Sequence, residues 1–267
     1  GSVFKLVSAA TALENGVSPD TKFECTGGIN VGDGAFHCFN GEKHGVLNMQ
    51  EAIAKSCNTY FIRLMQQVPN ESFLEMAGSL GFGKAFQFAP GYSSAAGTLP
   101  KLSDLMIPRA LANFSFGQGS LTATPVQISG LINAIAAKGE YVQPYLVKGL
   151  VDENGNETQT AAKQQPKQVM SQSTAALLRQ FMAASVDHGT SQKGKPDAGG
   201  AGAKTGTAQT GEIVDGREIV QAWYAGFYPL EEPRYSIVVL AEDGEGGGST
   251  CAPVFKEITS GLLSKMN

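Results

Sequence analysis

Apolar residues recur at helical spacing from the start of the chain: Val3, Phe4, Leu6, Val7, Ala10 and Leu13 line one face. This predicts a helix over residues 2–14, stopped by Asn15-Gly16. Residues 18–47 are glycine-rich and lack a period, which predicts a long loop with a hairpin in it. Asn48 reads as a helix N-cap and Glu51 sits at the capping-box position. The apolar spacing then continues through Ile53, Tyr60, Phe61, Leu64 and Val68 as one helix. A second helix over 71–80 ends at Gly81, and 83–100 reads as loop. Thr124-Pro125 opens a helix that runs to Lys138 and stops at Gly139. After a polar, turn-rich stretch at 152–168, Ser171 caps a helix reaching His188. The period then changes. A strand is predicted at 203–211, with two more near 218–228 and 234–242 joined by a turn around Pro229 and Pro233. A glycine-rich acidic loop at 243–249 leads to a last helix from Cys251 to Lys265. Helices, then an antiparallel meander, then a closing helix make an α+β fold.

Composition narrows this little. The 267 residues suffice for one large domain, taken as residues 1–267. Apolar content is 42% and the net charge is -4, so nothing favours a nucleic-acid partner. No apolar run approaches the length of a membrane span, and no signal peptide is visible. The chain opens directly on a candidate nucleophile, so it is expected to be part of a longer protein whose targeting lies upstream.

Three short motifs carry the chemistry: Ser2-Val3-Phe4-Lys5, Ser56-Cys57-Asn58 and Lys204-Thr205-Gly206-Thr207. Ser2 is the only serine with a lysine three residues on, and Ser56 the only one with an asparagine two residues on. Serine is a weak nucleophile until a neighbour takes its proton. On a helix, Ser2 and Lys5 share a face. Lys5 can act as base only if burial or a nearby cation lowers its pKa, and Lys204 could supply that second charge. Ser56 can relay a proton toward a leaving amine, and Asn58 can hold Lys5 and bond a substrate amide. The 204–207 segment reads as an edge strand on which a peptide can lie, with Gly206 leaving room. Thr205, Thr207 and Lys204 suit a carboxylate, while the N–H groups of Ser2 and Thr207 suit an oxyanion. Singly, each motif also has an ordinary reading, as a helix start, a polar break or a glycine-containing edge strand. Their co-occurrence in this order argues against coincidence.

The three motifs match the set of β-lactamases and penicillin-binding proteins. Beyond them, Gly117-Gln118-Gly119 with Leu121, and then Thr124-Pro125-Val126-Gln127, follow the same pattern. So do Ala136-Ala137-Lys138-Gly139 with Pro144 (Lys138 standing where Asn is usual), Gly189-Thr190, and Trp223-Tyr224-Ala225-Gly226-Phe227 with Pro229. Over nearly its whole length the chain resembles the transpeptidase domain of a penicillin-binding protein. Gly97 with Leu99-Pro100, and His44-Gly45, resemble the class B, monofunctional, elongation- or sporulation-type members. The resemblance implies the serine β-lactamase/penicillin-binding-protein fold, truncated at its N-terminus, so that the central sheet keeps its last three strands. It implies D,D-transpeptidation of peptidoglycan stem peptides ending in D-Ala-D-Ala, with β-lactam antibiotics acylating the same serine. It also implies an extracytoplasmic location, membrane-anchored in the full-length protein, among the cell-wall synthesis machinery. The rival readings are a D,D-carboxypeptidase or β-lactamase, and a non-catalytic β-lactam sensor, scaffold or inactive fragment.

The cysteines form a second pattern. Cys25, Cys38, His44 and Cys57 follow Cys-x12-Cys-x5-His-x12-Cys. The residues alone leave three options: a structural Cys3His zinc site, a Cys25–Cys38 disulfide, or buried free thiols. The resemblance implies zinc, because elongation-type members hold one in this loop at nearly this spacing. Such a metal would pin the glycine-rich loop to the Ser56–Asn58 segment and take no part in chemistry. Cys251 is expected to pack at the final helix, while His37 and His188 read as loop or surface residues.

Overall fold

The computed structural model describes residues 1–89, 92–160 and 164–266. A single 3-10 turn, Ser2–Phe4, runs into α1 (Lys5–Glu14). Leu6, Val7, Ala9 and Ala10 of α1 are wholly buried. Ahead of α1, the Phe4 ring meets Phe73, Phe82 and Phe114 at centroid distances of 5.8, 5.3 and 4.9 Å. A helix buried all round is fixed from every side.

The 18–47 stretch is more ordered than its composition suggests. It forms β1 (Phe23–Cys25), β2 (Gly28–Val31), β3 (Gly34–His37) and β4 (Gly45–Leu47). The β2–β3 pair is the expected hairpin, and β1 pairs with β4 across it. The expected capping box is present: Asn48 Oδ1 accepts from the Glu51 N–H, and Glu51 accepts from the Asn48 N–H. The helix it opens is short, however. It divides into α2 (Met49–Ala54) and α3 (Asn58–Met65), correcting the single helix expected through Val68.

Next come α4 (Asn70–Ser79), a small hairpin of β5 (Gln87–Ala89) and β6 (Tyr92–Ser93), and two helices the pattern does not predict, α5 (Leu102–Leu105) and α6 (Pro108–Ser115). Then α7 (Pro125–Ala136) opens with the expected Thr124 cap, completed by the Gln127 side chain. It ends in two left-handed residues, Lys138 at φ 57° and Gly139 at φ 91°. That conformation gives the physical reason for an Asn at the lysine's position, since Asn tolerates it better. The remaining polar stretch holds β7 (Glu140–Tyr141), β8 (Gly149–Val151), β9 (Glu157–Thr160) and β10 (Lys167–Gln168). Residues 90–91 and 161–163 of the two predicted loops lie outside the described residues.

Helix α8 (Gln172–His188), capped by Ser171 as expected, leads to β11 (Gly202–Val214), β12 (Arg217–Tyr228) and β13 (Tyr235–Ala241). They form a three-stranded antiparallel sheet in that order. Alternation along β12 sends Trp223, Ala225 and Phe227 into the core that holds Leu178 and Met182 of α8. Ala222, Tyr224 and Tyr228 face the other way and pack with Phe255. That phenylalanine belongs to α9 (Ala252–Met266), which a π-helical turn at Gly247–Cys251 precedes. Cys251 is buried there as expected, its Sγ 3.1 Å from the Ala222 carbonyl. The sheet is thus packed between helices, with β11 as the edge facing the Ser2–Phe4 turn.

Candidate active site

All three motifs converge at the meeting of α1, the α2–α3 junction and β11. The Lys5 side chain is wholly buried. Its Nζ lies 3.0 Å from Ser2 Oγ, 3.2 Å from Ser56 Oγ, 2.6 Å from the Ser56 carbonyl and 2.6 Å from Asn58 Oδ1, all within hydrogen-bond reach. Lys204, also wholly buried, donates to the same Ser56 Oγ at 2.9 Å and to the Thr205 carbonyl at 3.0 Å. One hydroxyl oxygen therefore sits between two amines. Burial pushes Lys5 down to about 7, an effect partly opposed by the sulfurs of Cys57 and Cys38. Burial, and then the charge of Lys5, holds Lys204 well below the ordinary lysine range.

The backbone at the α2–α3 junction explains how Ser56 gets there. Ser56 adopts φ 56°. Its N–H bonds the Ile53 carbonyl at 3.2 Å, and the Cys57 N–H bonds the Ala52 carbonyl at 3.0 Å. This is a Schellman ending with serine in the left-handed position that glycine usually takes. Residues held in such a conformation cluster at working sites. The turn aims Ser56 at both lysines and starts α3 at Asn58. The Asn58 Nδ2 donates to the His37 carbonyl at 2.8 Å, which fixes Oδ1 toward Lys5. His37 thus serves through its backbone, a contact no side-chain motif announces.

On the strand side, Gly206 faces the first turn of the chain, where a Cβ would come within 3.1 Å of Val3. A Cβ at Gly247 would collide with the Trp223 carbonyl of β12 and lie 2.8 Å from the Gly206 carbonyl of β11, so the loop after β13 can close onto these strands only as glycine. The result is a cleft of about 880 Å³ whose walls include Ser2, Ser56, Asn58, Thr205, Gly206 and Thr207. Thr190 also lines it, with Oγ1 2.6 Å from Thr205 Oγ1. Gly189-Thr190 was noted in the sequence only as a pattern match. Its role depends on a contact across fifteen positions, from 190 to 205, that spacing does not reveal.

The site is shared. Residues 1–260 match the family model for the penicillin binding protein transpeptidase domain. The chain belongs to this family. Peptidoglycan D,D-transpeptidase PbpA of Mycolicibacterium smegmatis is 31% identical over 274 residues, covering 98% of this chain and 54% of that protein. The crystal structure of the D,D-transpeptidase domain of a peptidoglycan glycosyltransferase from Eggerthella lenta aligns with a TM-score of 0.87 at 30% identity, over 99% of this chain and 65% of that one. The ceftriaxone acyl-enzyme complex of penicillin-binding protein A from M. tuberculosis aligns with a TM-score of 0.88 at 26% identity, over 98% and 60%. The chain spans about half the length of the curated relatives it matches, 54% and 43% for two of them.

Behind the transpeptidase motifs, the sulfur set lies together. Ligand atoms of Cys25, Cys38, His44 and Cys57 fall within 4.8 Å of one another. Cys38 Sγ is 3.6 Å from Cys25 Sγ and 3.7 Å from Cys57 Sγ, and Cys25 Sγ is 3.4 Å from His44 Nδ1. Hydrogen bonding from Cys57 holds the Cys38 thiol down to about 4, and the same bond with burial pushes Cys57 up. Among the described residues the buried His44 Nε2 has no hydrogen-bond partner. Glu42 Oε2 lies 3.4 Å from it, near enough for charge attraction but outside hydrogen-bond geometry.

Proposed function

We propose that this chain performs the acyl transfer of a serine D,D-transpeptidase acting on peptidoglycan stem peptides, at the extracytoplasmic face of the membrane. The observation that carries the reading is Lys5: a buried amine with a lowered pKa, 3.0 Å from Ser2 Oγ and oriented by Asn58. Neutral Lys5 takes the Ser2 proton as Oγ attacks the carbonyl of the penultimate D-Ala. The N–H groups of Ser2 and Thr207 stabilise the oxyanion. Collapse breaks the D-Ala–D-Ala amide. The proton passes through Ser56 Oγ to the departing amine, leaving a Ser2 ester. A neighbouring amine attacks that ester, and the proton it loses restores the Ser2 hydroxyl. Thr205 and Thr207 hold the substrate carboxylate, and Lys204 supplies positive charge beside Ser56. β-Lactams acylate Ser2 by the same first step, and the cell-wall synthesis machinery provides the longer protein's partners. Among the described residues no helix is long and apolar enough to cross a membrane.

The test is intact mass after incubation with penicillin G. A single stable adduct, absent in Ser2→Ala, is the expected result. Rapid loss of the adduct would point to a hydrolase, and no adduct on a folded chain would overturn the acyl-transfer reading.

The Cys3His set fits zinc. A tetrahedral zinc with bonds of about 2.3 Å holds its sulfurs about 3.8 Å apart, close to the spacings of 3.6 and 3.7 Å here. Cys38 is nearly equidistant from two sulfurs, which suits a shared ion better than a Cys25–Cys38 pair. Glu42 beside His44 Nε2 matches the carboxylate–histidine pairing common behind metal ligands. Cys25, Cys38, His44 and Cys57 would hold the ion, which supplies structural cross-linking alone.

A further inference from the structure

Thr190 lies outside the three motifs yet touches two of the segments that carry them. Its Oγ1 is 2.6 Å from Thr205 Oγ1, and its N–H donates to the Ala54 carbonyl at 2.9 Å. Ala54 ends α2, just before the turn that presents Ser56. The Thr190 carbonyl backs onto Gly248, where a Cβ would come within 3.0 Å of it. The contact with Ala54 depends on Gly189, because a Cβ there would lie 2.3 Å from the Ala54 oxygen. Gly189-Thr190 is thus a bridge from the Ser56 turn to the Thr205 strand and the glycine loop that closes on it.

Counting protons gives the bridge a function. A threonine hydroxyl has one proton to donate and two lone pairs to accept with, while a carboxylate only accepts. At 2.6 Å, one of the two threonines donates to the other. If Thr205 gives its proton to a carboxylate in the cleft, Thr190 must be the donor to Thr205. The resulting chain, Thr190 to Thr205 to carboxylate, is polarised in one direction, and each bond strengthens the next.

We propose that Thr190 is a positioning residue that orients the Thr205 hydroxyl toward the substrate carboxylate and fixes that strand relative to Ser56. The proposal rests on the acyl-transfer reading above for the identity of the ligand. Thr190→Val keeps the shape and removes the hydroxyl, whereas Thr190→Ser keeps the hydroxyl. The measurement is the second-order rate constant for acylation by penicillin G and by its methyl ester, followed by intact mass. For Thr190→Val we expect a loss of about tenfold with the free acid, the scale of one charge-assisted hydrogen bond, with little change for the ester. Thr190→Ser should stay within about twofold of the parent. Equal rates for the parent and Thr190→Val with the free acid would overturn the proposal. So would an equal loss with acid and ester, since that marks a general structural defect. Thr190→Ala makes the same comparison should the valine variant unfold. A parent chain that forms no adduct would instead count against the acyl-transfer reading itself.

Discussion

In the proposed acylation Lys5 is the base, and its burial has two pH consequences that run in the same direction. Acylation needs the neutral amine, and burial brings its pKa down to about 7. The rate of β-lactam acylation should therefore rise with pH through about 7 and then level off. Stopped-flow or mass kinetics from about pH 5.5 to 9 would show it, and a flat profile would remove Lys5 as the base. Stability moves for the same reason. The unfolded chain keeps the lysine proton up to about 10.4, whereas the folded chain releases it near 7. Between those values the unfolded state binds more protons, so folding stability rises with pH and is lost as pH falls toward 7. Much of this was legible in the sequence, because Ser2 and Lys5 meet by the local geometry of one helix turn. The orientation of Asn58 was not, since it is set by the backbone carbonyl of His37 on a different element.

At the scale of elements, the α2–α3 junction is where periodicity misleads. Apolar spacing from Ile53 to Val68 reads as continuous because Ser56-Cys57-Asn58 contains neither Gly nor Pro, the usual punctuation. The chain breaks there because Ser56 takes φ 56°. The strain can be isolated by comparing two variants that both lack the hydroxyl. Ser56→Gly should be more stable than Ser56→Ala by about 1 kcal/mol in denaturant unfolding, because only glycine adopts this backbone freely. Both should acylate far more slowly than the parent, having lost the oxygen between Lys5 and Lys204. Equal stabilities would show that the turn carries no strain. The Asn48–Glu51 box was readable because its residues lie three apart. Helices α5 and α6 were missed although Pro108 marks a helix start. Leu102, Met106 and Ile107 in and beside α5 are exposed, so no apolar face stands out.

Across the whole molecule, the order of elements and the three-stranded sheet follow from local patterns, but the sulfur cluster joins segments that only folding brings together. Cys25 ends β1, Cys38 follows β3, His44 precedes β4 and Cys57 precedes α3. A metal there would tie these segments to one another and, through His37 beside Cys38, to the orientation of Asn58. Protein purified without chelator should carry close to one zinc per chain by elemental analysis, and Cys38→Ser should carry none. The domain has a core of its own, so metal removal should weaken it without unfolding it. Binding at 100 times Kd contributes roughly 3 kcal/mol, which for a chain of this size is a fall in Tm of roughly 5–10 °C on chelation. A count of reactive thiols separates the alternatives. Zinc should shield three of the four cysteines until it is removed, whereas a Cys25–Cys38 disulfide would leave two thiols that chelation does not change. Four reactive thiols without metal would sink both, and the β1–β4 region would then owe its order to packing alone.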